Sequence, residues 1–211
     1  MLNDKKIKEI KQYAKDDVKR WVREFKREKT EEEKERFENE YPEGITSYYK
    51  KIVFSAEAEK ERLIKQFGYT EETLKERAQI YHEAFWSSWR WWQNKLVEID
   101  RVMAKYKPIF EEAEEVARNV DVSDIVDGFP CGMAVLYLKP EAKNTDLGKA
   151  LRLLSDCDCY SAKTCHWAAY ELPIKIPRYG QCMSFDERIC NEVAEFLEQK
   201  GIPTGVYSMI D

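Results

Sequence analysis

Apolar residues recur near the start of the chain at Ile7, Ile10, Ala14, Val18, Trp21 and Phe25. Steps of three and four return to one side of an α-helix at every turn, so this pattern predicts an amphipathic helix with one buried face. Thr30 with Glu33 has the form of a capping box, which either restarts the helix or lies within it. Tyr41-Pro42-Glu43-Gly44 is the first clear break. A second stripe runs through Ile45, Tyr48, Ile52, Ala56, Leu63 and Phe67. Gly68 sits where a helix ends, and Thr70 followed by two Glu reads as the next N-cap. A turn this short predicts two antiparallel neighbours. The third helix is predicted from about Glu71 to about Tyr106, with Pro108 kinking or restarting it. Its buried face collects Leu74, Ala78, Tyr81, Phe85, Trp89, Trp92, Leu96, Ile99 and Met103. Trp86 falls on the flank, beside His82 and Gln93. Trp91 points elsewhere, toward the side of Ile80, Ala84 and Val102. It either packs on a second surface or, beside Arg90, forms an exposed anchor for a partner.

After an acidic stretch, 111–127, the periodicity changes. Residues 132–139 (GMAVLYLK) read as a buried strand stopped by Pro140. Residues 144–154 read as a short helix capped by Asn144 or Thr145. Residues 166–176 read as a strand that Pro173 confines to an edge or a bulge. Ser184 to Glu187 has the form of a capping box opening a helix through Val193, Phe196 and Leu197, closed by Gly201. Pro203 to Ile210 reads as a last strand. The fold class expected is α+β. An antiparallel bundle of long helices over residues 1–120 precedes a small β-α-β-α-β unit of three to four strands over residues 121–211.

Composition adds limits. Of 211 residues, 43% are hydrophobic and 36% charged, which describes a globular chain with a heavily charged surface and excludes a disordered one. No stretch approaches the roughly 18 apolar residues of a membrane span. The N-terminus lacks the apolar region of a signal peptide, so a cytoplasmic protein with reduced thiols is expected. The net charge of −5 resides in residues 121–211, with 9 basic and 14 acidic side chains, whereas residues 1–120 hold 26 of each. Residues 1–29 are locally basic, with 11 basic and 6 acidic side chains. Lys8, Lys11, Lys15, Lys19 and Arg23 are therefore candidates to track a phosphate backbone, although the interspersed acids are expected to dilute their field.

The segments DGFPCGMAVLYLKP (127–140), RYGQCMSFDERICNEVAEFLEQKGI (178–202) and YSMID (207–211) resemble a family of small uncharacterised proteins of tailed bacteriophages and mobile elements. The resemblance covers about the last 85 residues, and Cys182 stands where that family carries Ser. It implies a genomic setting and a domain shape, and no reaction.

Cys157, Cys159, Cys165 and His166 are the candidate zinc ligands, since thiolates and an imidazole at short spacing can complete a tetrahedral site. The spacing is not that of a paired knuckle, so a loop with incidental thiols is the expected state and no cofactor is required. A cysteine-dependent enzyme would need Cys182, near a helix N-terminus, and His166 as base. Cys131 reads as a small buried residue at a strand start. No phosphate-binding glycine loop, GxSxG or HExxH motif occurs. The reading that follows is a non-enzymatic phage or mobile-element accessory protein acting by macromolecular binding. Its partner is a host or phage protein, such as a defence or nucleic-acid-processing protein, gripped through Trp91, Arg90 and Trp86. The alternative is a nucleic-acid-binding module using the basic first helix. Association of copies through the helical bundle fits either.

Overall fold

The computed structural model describes residues 2–26, 29–125, 132–156, 170–177 and 183–210. The protein is α+β: mostly helical, with one three-stranded antiparallel sheet. Its contacts divide it into two compact units, Met1–Lys95 and Leu96–Asp211.

The first unit holds α1 (Asp4–Lys26), α2 (Glu31–Glu40), α3 (Ile45–Ala58), α4 (Lys60–Phe67) and the start of α5 (Glu71–Asn119). Ile10, Ala14, Val18 and Trp21 of α1 are buried as their spacing requires, and Val22 joins them. Phe25 departs from the expected face and is half exposed at the helix end. Thr30 does cap α2: its Oγ1 accepts from Glu33 N–H, and Glu33 Oε2 accepts from Thr30 N–H. The Trp21 ring stacks on Phe37 at 5.2 Å and meets Tyr41 edge-on at 5.3 Å, which fastens α2 to α1.

The single stripe expected over 45–67 is two helices, parted at Glu59. Between Ala56 and Leu63 the chain reads Glu-Ala-Glu-Lys-Glu-Arg, all exposed, so no buried side chain holds that turn in register. Gly68 ends α4 in the left-handed region at φ 66°, the conformation a side chain disfavours. Thr70 caps α5, accepting from Thr73 N–H, while Thr73 Oγ1 accepts from Thr70 N–H.

α5 does not stop or restart at Pro108; it runs on to Asn119. Pro108 lacks an N–H, but the turns beyond it are anchored by Phe110, Ala113 and Ala117, all buried. Those residues share a core with β1 and α7, within the unit that begins at Leu96.

In the second unit, β1 (Gly132–Leu138) is the central strand, between β2 (Tyr170–Glu171) and β3 (Thr204–Ile210). β1 and β3 pair one to one from Gly132↔Ile210 to Leu138↔Thr204. β2 is far shorter than the run 166–176 expected of it, of which residues 166–169 lie outside the described residues. Leu172 still donates to Leu136 C=O at 2.9 Å, and then Pro173, without an N–H, ends the ladder. Ala134, Leu136 and Leu138 face α6 (Asp146–Asp156) and α7 (Met183–Gln199) across a core with Leu147, Leu151, Ile189 and Val193. Cys190 lies in this core, fully buried. A smaller cluster joins Ile99 and Val102 of α5 to Ala150 and Leu154 of α6.

Thr145 caps α6 by accepting from Gly148 N–H. Ser184 is no cap, because α7 already begins at Met183. The end of α7 is a Schellman motif: Ile202 N–H donates to Leu197 C=O and Gly201 N–H to Glu198 C=O, with Gly201 at φ 80°.

Candidate functional site

α1 is amphipathic in charge as well as in hydropathy. With Ile10, Ala14, Val18 and Trp21 turned inward, the advance of about 100° per residue gathers Lys8, Lys11, Lys15, Lys19 and Arg23 within an arc of about 120° that adjoins the buried face and takes in buried Val22 at its near edge. Lys5 and Lys26 fall in the same arc. Lys8, Lys11 and Lys15 are exposed, and Lys19 and Arg23 are half-buried along their stems. From Lys8 to Lys19 the stripe extends about 16 Å along the helix.

Most acids of α1 lie outside this arc. Asp4, in the first turn, is the one acid of the arc. Glu9 pairs with Lys6 at 3.8 Å, and Asp16 accepts from Gln12. Asp17 accepts from Arg20 at 2.9 Å and from the Tyr81 hydroxyl at 2.7 Å. Glu9, Asp16 and Asp17 thus lie outside the arc and are partnered there, while Asp4 stays within it. Among the described residues, Lys8, Lys11, Lys15 and Lys19 join no hydrogen bond or ion pair. Many cations elsewhere are matched, as in Lys34–Glu31 at 2.6 Å, Lys51–Glu40 at 2.8 Å, Lys139–Glu198 at 2.7 Å and Arg118–Glu115 at 2.7 Å, while Lys75, Arg90, Lys149 and Arg152 join no ion pair among the described residues. Like charges four residues apart on a helix cost about 0.2–0.5 kcal/mol each. Lys11–Lys15–Lys19–Arg23 carries three such spacings with no local compensation from Lys8 to Lys19.

The aromatic candidates separate. Trp86 is half-buried against Tyr49 at 5.3 Å and Phe85 at 5.4 Å, in the cluster where the Tyr49 hydroxyl also meets His82 Nδ1 at 2.8 Å. It is packing. Trp91 is 48% exposed and sets its ring edge-on to Trp92 at 5.0 Å, with Arg90 exposed beside it. Of its expected face, Val102 is buried with α6, whereas Ile80 and Ala84 are half-buried. Trp89, expected in the core, is half-buried at the edge of the stripe; Phe85, Trp92, Leu96 and Ile99 form its buried centre.

Cys131, Cys157, Cys159, Cys165, His166 and Cys182 lie outside the described residues. Among the described residues no group of three or more His, Cys, Asp or Glu is arranged to hold a metal ion. Nor is any described helix long and apolar enough to cross a membrane. Comparison with protein-family models, with curated proteins and with solved structures finds no match.

Proposed function

We propose that the protein is a non-enzymatic binding protein whose helix α1 engages the phosphates of a nucleic acid. The unpaired lysine stripe carries this reading. Lys8, Lys11 and Lys15 are exposed, Lys19 is half-buried along its stem, Asp4 is the one acid of the arc, and the helix holds the lysines at regular spacing, as counterion-releasing contacts to a phosphate backbone need. Such contacts position a protein without reading sequence. The finer architecture belongs to the same proposal: residues 1–120 as an antiparallel bundle that presents α1, and residues 121–211 as a β-α-β-α-β unit.

The test is fluorescence anisotropy with a labelled duplex over a salt series. Four phosphate contacts, one for each of Lys8, Lys11, Lys15 and Lys19, give a slope of log K against log salt of about −3.6, at roughly −0.9 per contact. Replacing Lys8, Lys15 and Lys19 by Gln is expected to remove about 2.7 of that slope. The helix content measured by circular dichroism is expected to stay as it was. Absence of binding at low salt, or binding indifferent to these substitutions, rejects the reading.

A second reading, a phage or mobile-element accessory protein that grips a cytoplasmic host or phage protein and blocks a defence or nucleic-acid-processing activity, is favoured by the exposure of Trp91 beside Arg90. Retention of a protein partner that Trp91→Ala abolishes, with no nucleic-acid binding, would select it.

A further inference from the structure

β3 (Thr204–Ile210) is an edge strand: among the described residues it pairs with β1 alone. In an antiparallel ladder each residue turns its N–H and C=O to one side, and the side alternates along the strand. Lys139 N–H donates to Pro203 C=O at 2.9 Å, so Pro203 faces β1, and Gly205, Tyr207 and Met209 turn their backbone groups the same way. Thr204, Val206, Ser208 and Ile210 therefore turn theirs outward. Thr204 N–H donates to Glu198 Oε1 at 3.2 Å. Among the described residues, nothing meets the N–H or C=O of Val206 or Ser208.

Nothing in β3 guards this edge. The strand carries no charged side chain and no Pro, and its seven residues pair with β1 one to one, without a bulge. An open edge takes an extended chain, and foreign peptides are sorted by side-chain pockets beside it. A recess of about 580 Å³ in this unit lies along α5 and α7, with no β3 residue in its wall. The edge is, however, its own complement. About a two-fold axis at Tyr207, the middle of the strand, all seven residues pair: Val206 of each copy faces Ser208 of the other, and Thr204 faces Ile210. Each of these pairs joins two outward-turned residues, so the new ladder leaves the pairing to β1 intact. Thr204 N–H keeps Glu198, while its C=O is open to Ile210 N–H of the other copy. With no charge in β3, none is set against its like.

We propose that β3 pairs antiparallel with β3 of a second copy, joining two three-stranded sheets into one of six strands. The inference does not rest on the nucleic-acid reading, because α1 belongs to the other unit.

Sedimentation equilibrium of the full chain tests it. One strand pair is a small interface, so a reversible dimer is expected at micromolar concentration. Tyr207 is half-buried on the sheet face away from α6 and α7 and would meet Tyr207 of the other copy across the axis. Tyr207→Lys and Tyr207→Glu are each expected to raise the dissociation constant at least about tenfold by setting like charges opposite. Mixing the two is expected to restore the dimer as a heterodimer, which variants that had merely failed to fold could not do. Cross-linking checks the register in a chain that keeps buried Cys190 and carries serine at the other five cysteines. Tyr207→Cys is expected to form a disulfide-linked dimer under a mild oxidant, since the two Cα atoms of such a pair lie about 4.5 Å apart. Ser208→Cys is expected not to, because its counterpart is displaced by two residues, about 7 Å along the strand. A parent that stays monomeric overturns the proposal, whether or not it takes up an extended peptide. Charge variants that leave the dimer unchanged or do not recover on mixing overturn it too, as does cross-linking at 208 as fast as at 207.

Discussion

Trp91 and Trp92 are neighbours in sequence, yet one is 48% exposed and the other 3%. The helix sets the difference, because consecutive side chains diverge by about 100°. Trp92→Ala is expected to cost about 3–5 kcal/mol in urea denaturation, whereas Trp91→Ala is expected to stay within about 0.5 kcal/mol. The tyrosines of the first unit give a second expectation. Burial raises the pKa of Tyr81, and the hydrogen bond it donates to Asp17 raises it further. Burial moves Tyr48 and Tyr49 the same way. Tyr41 is pushed up to about 12, by burial and then by Glu40. A folded-state pKa above the unfolded value favours the neutral form in the folded chain. The stability it brings is whole below about pH 10, where unfolded tyrosine begins to ionise, and is lost as pH climbs through the folded values. The melting temperature should therefore fall from pH 9 to pH 11.5, taken in round steps about the tyrosine range. Tyr81→Phe, with no proton to lose, should show a shallower alkaline decline. An equal decline in both would assign the effect to other groups.

Elements differ in how far the sequence announces them, and the reasons are local. Where apolar spacing and a cap agree, as at Ile10 to Trp21, Thr30 and Thr70, the helix was legible. Legibility failed where a long-range contact overrode a local signal. Pro108 looked like an end, but Phe110 and Ala113 are buried against another part of the chain and keep α5 intact. It failed the other way at Glu59, where a polar turn parts α3 from α4 although the stripe continues on both sides. The lysine stripe could have been read from periodicity alone. Counting the acids of residues 1–29 set its field low; by angle, Asp4 alone of the α1 acids shares the arc of the lysines. The free state of those lysines was not legible, since it depends on Tyr81, Arg20 and Gln12 engaging the nearby acids. One close approach within the second unit was equally hidden. A Cβ added at Gly148 would lie 2.4 Å from Ala142 C=O, a backbone atom that cannot swing aside. Gly148→Ala is accordingly expected to destabilise the protein by about 1–3 kcal/mol despite its gain in helix propensity, as chemical denaturation would register.

For the whole molecule, the division at Leu96 has a direct consequence. The core of β1, α6 and α7 includes Phe110, Ala113 and Ala117, which precede residue 121. A fragment of residues 96–211 is expected to melt cooperatively, and one of residues 121–211 to lose that transition in calorimetry. Comparable melting of both would show that α5 is dispensable to this core. The two units also differ in charge: residues 1–95 carry 22 basic and 20 acidic side chains, and residues 96–211 carry 13 and 20. Salt should then affect polyanion binding mainly through the first unit. The sealed thiol of Cys190 supplies a clock for the second unit. In a chain whose other five cysteines are serine, a thiol reagent can reach Cys190 only when α7 lifts from the sheet. At low reagent concentration the labelling rate reports the equilibrium population of that opening, and at saturating reagent it becomes the opening rate itself. One buried sulfur atom thus converts an invisible fluctuation of the core into a colour change with a half-time.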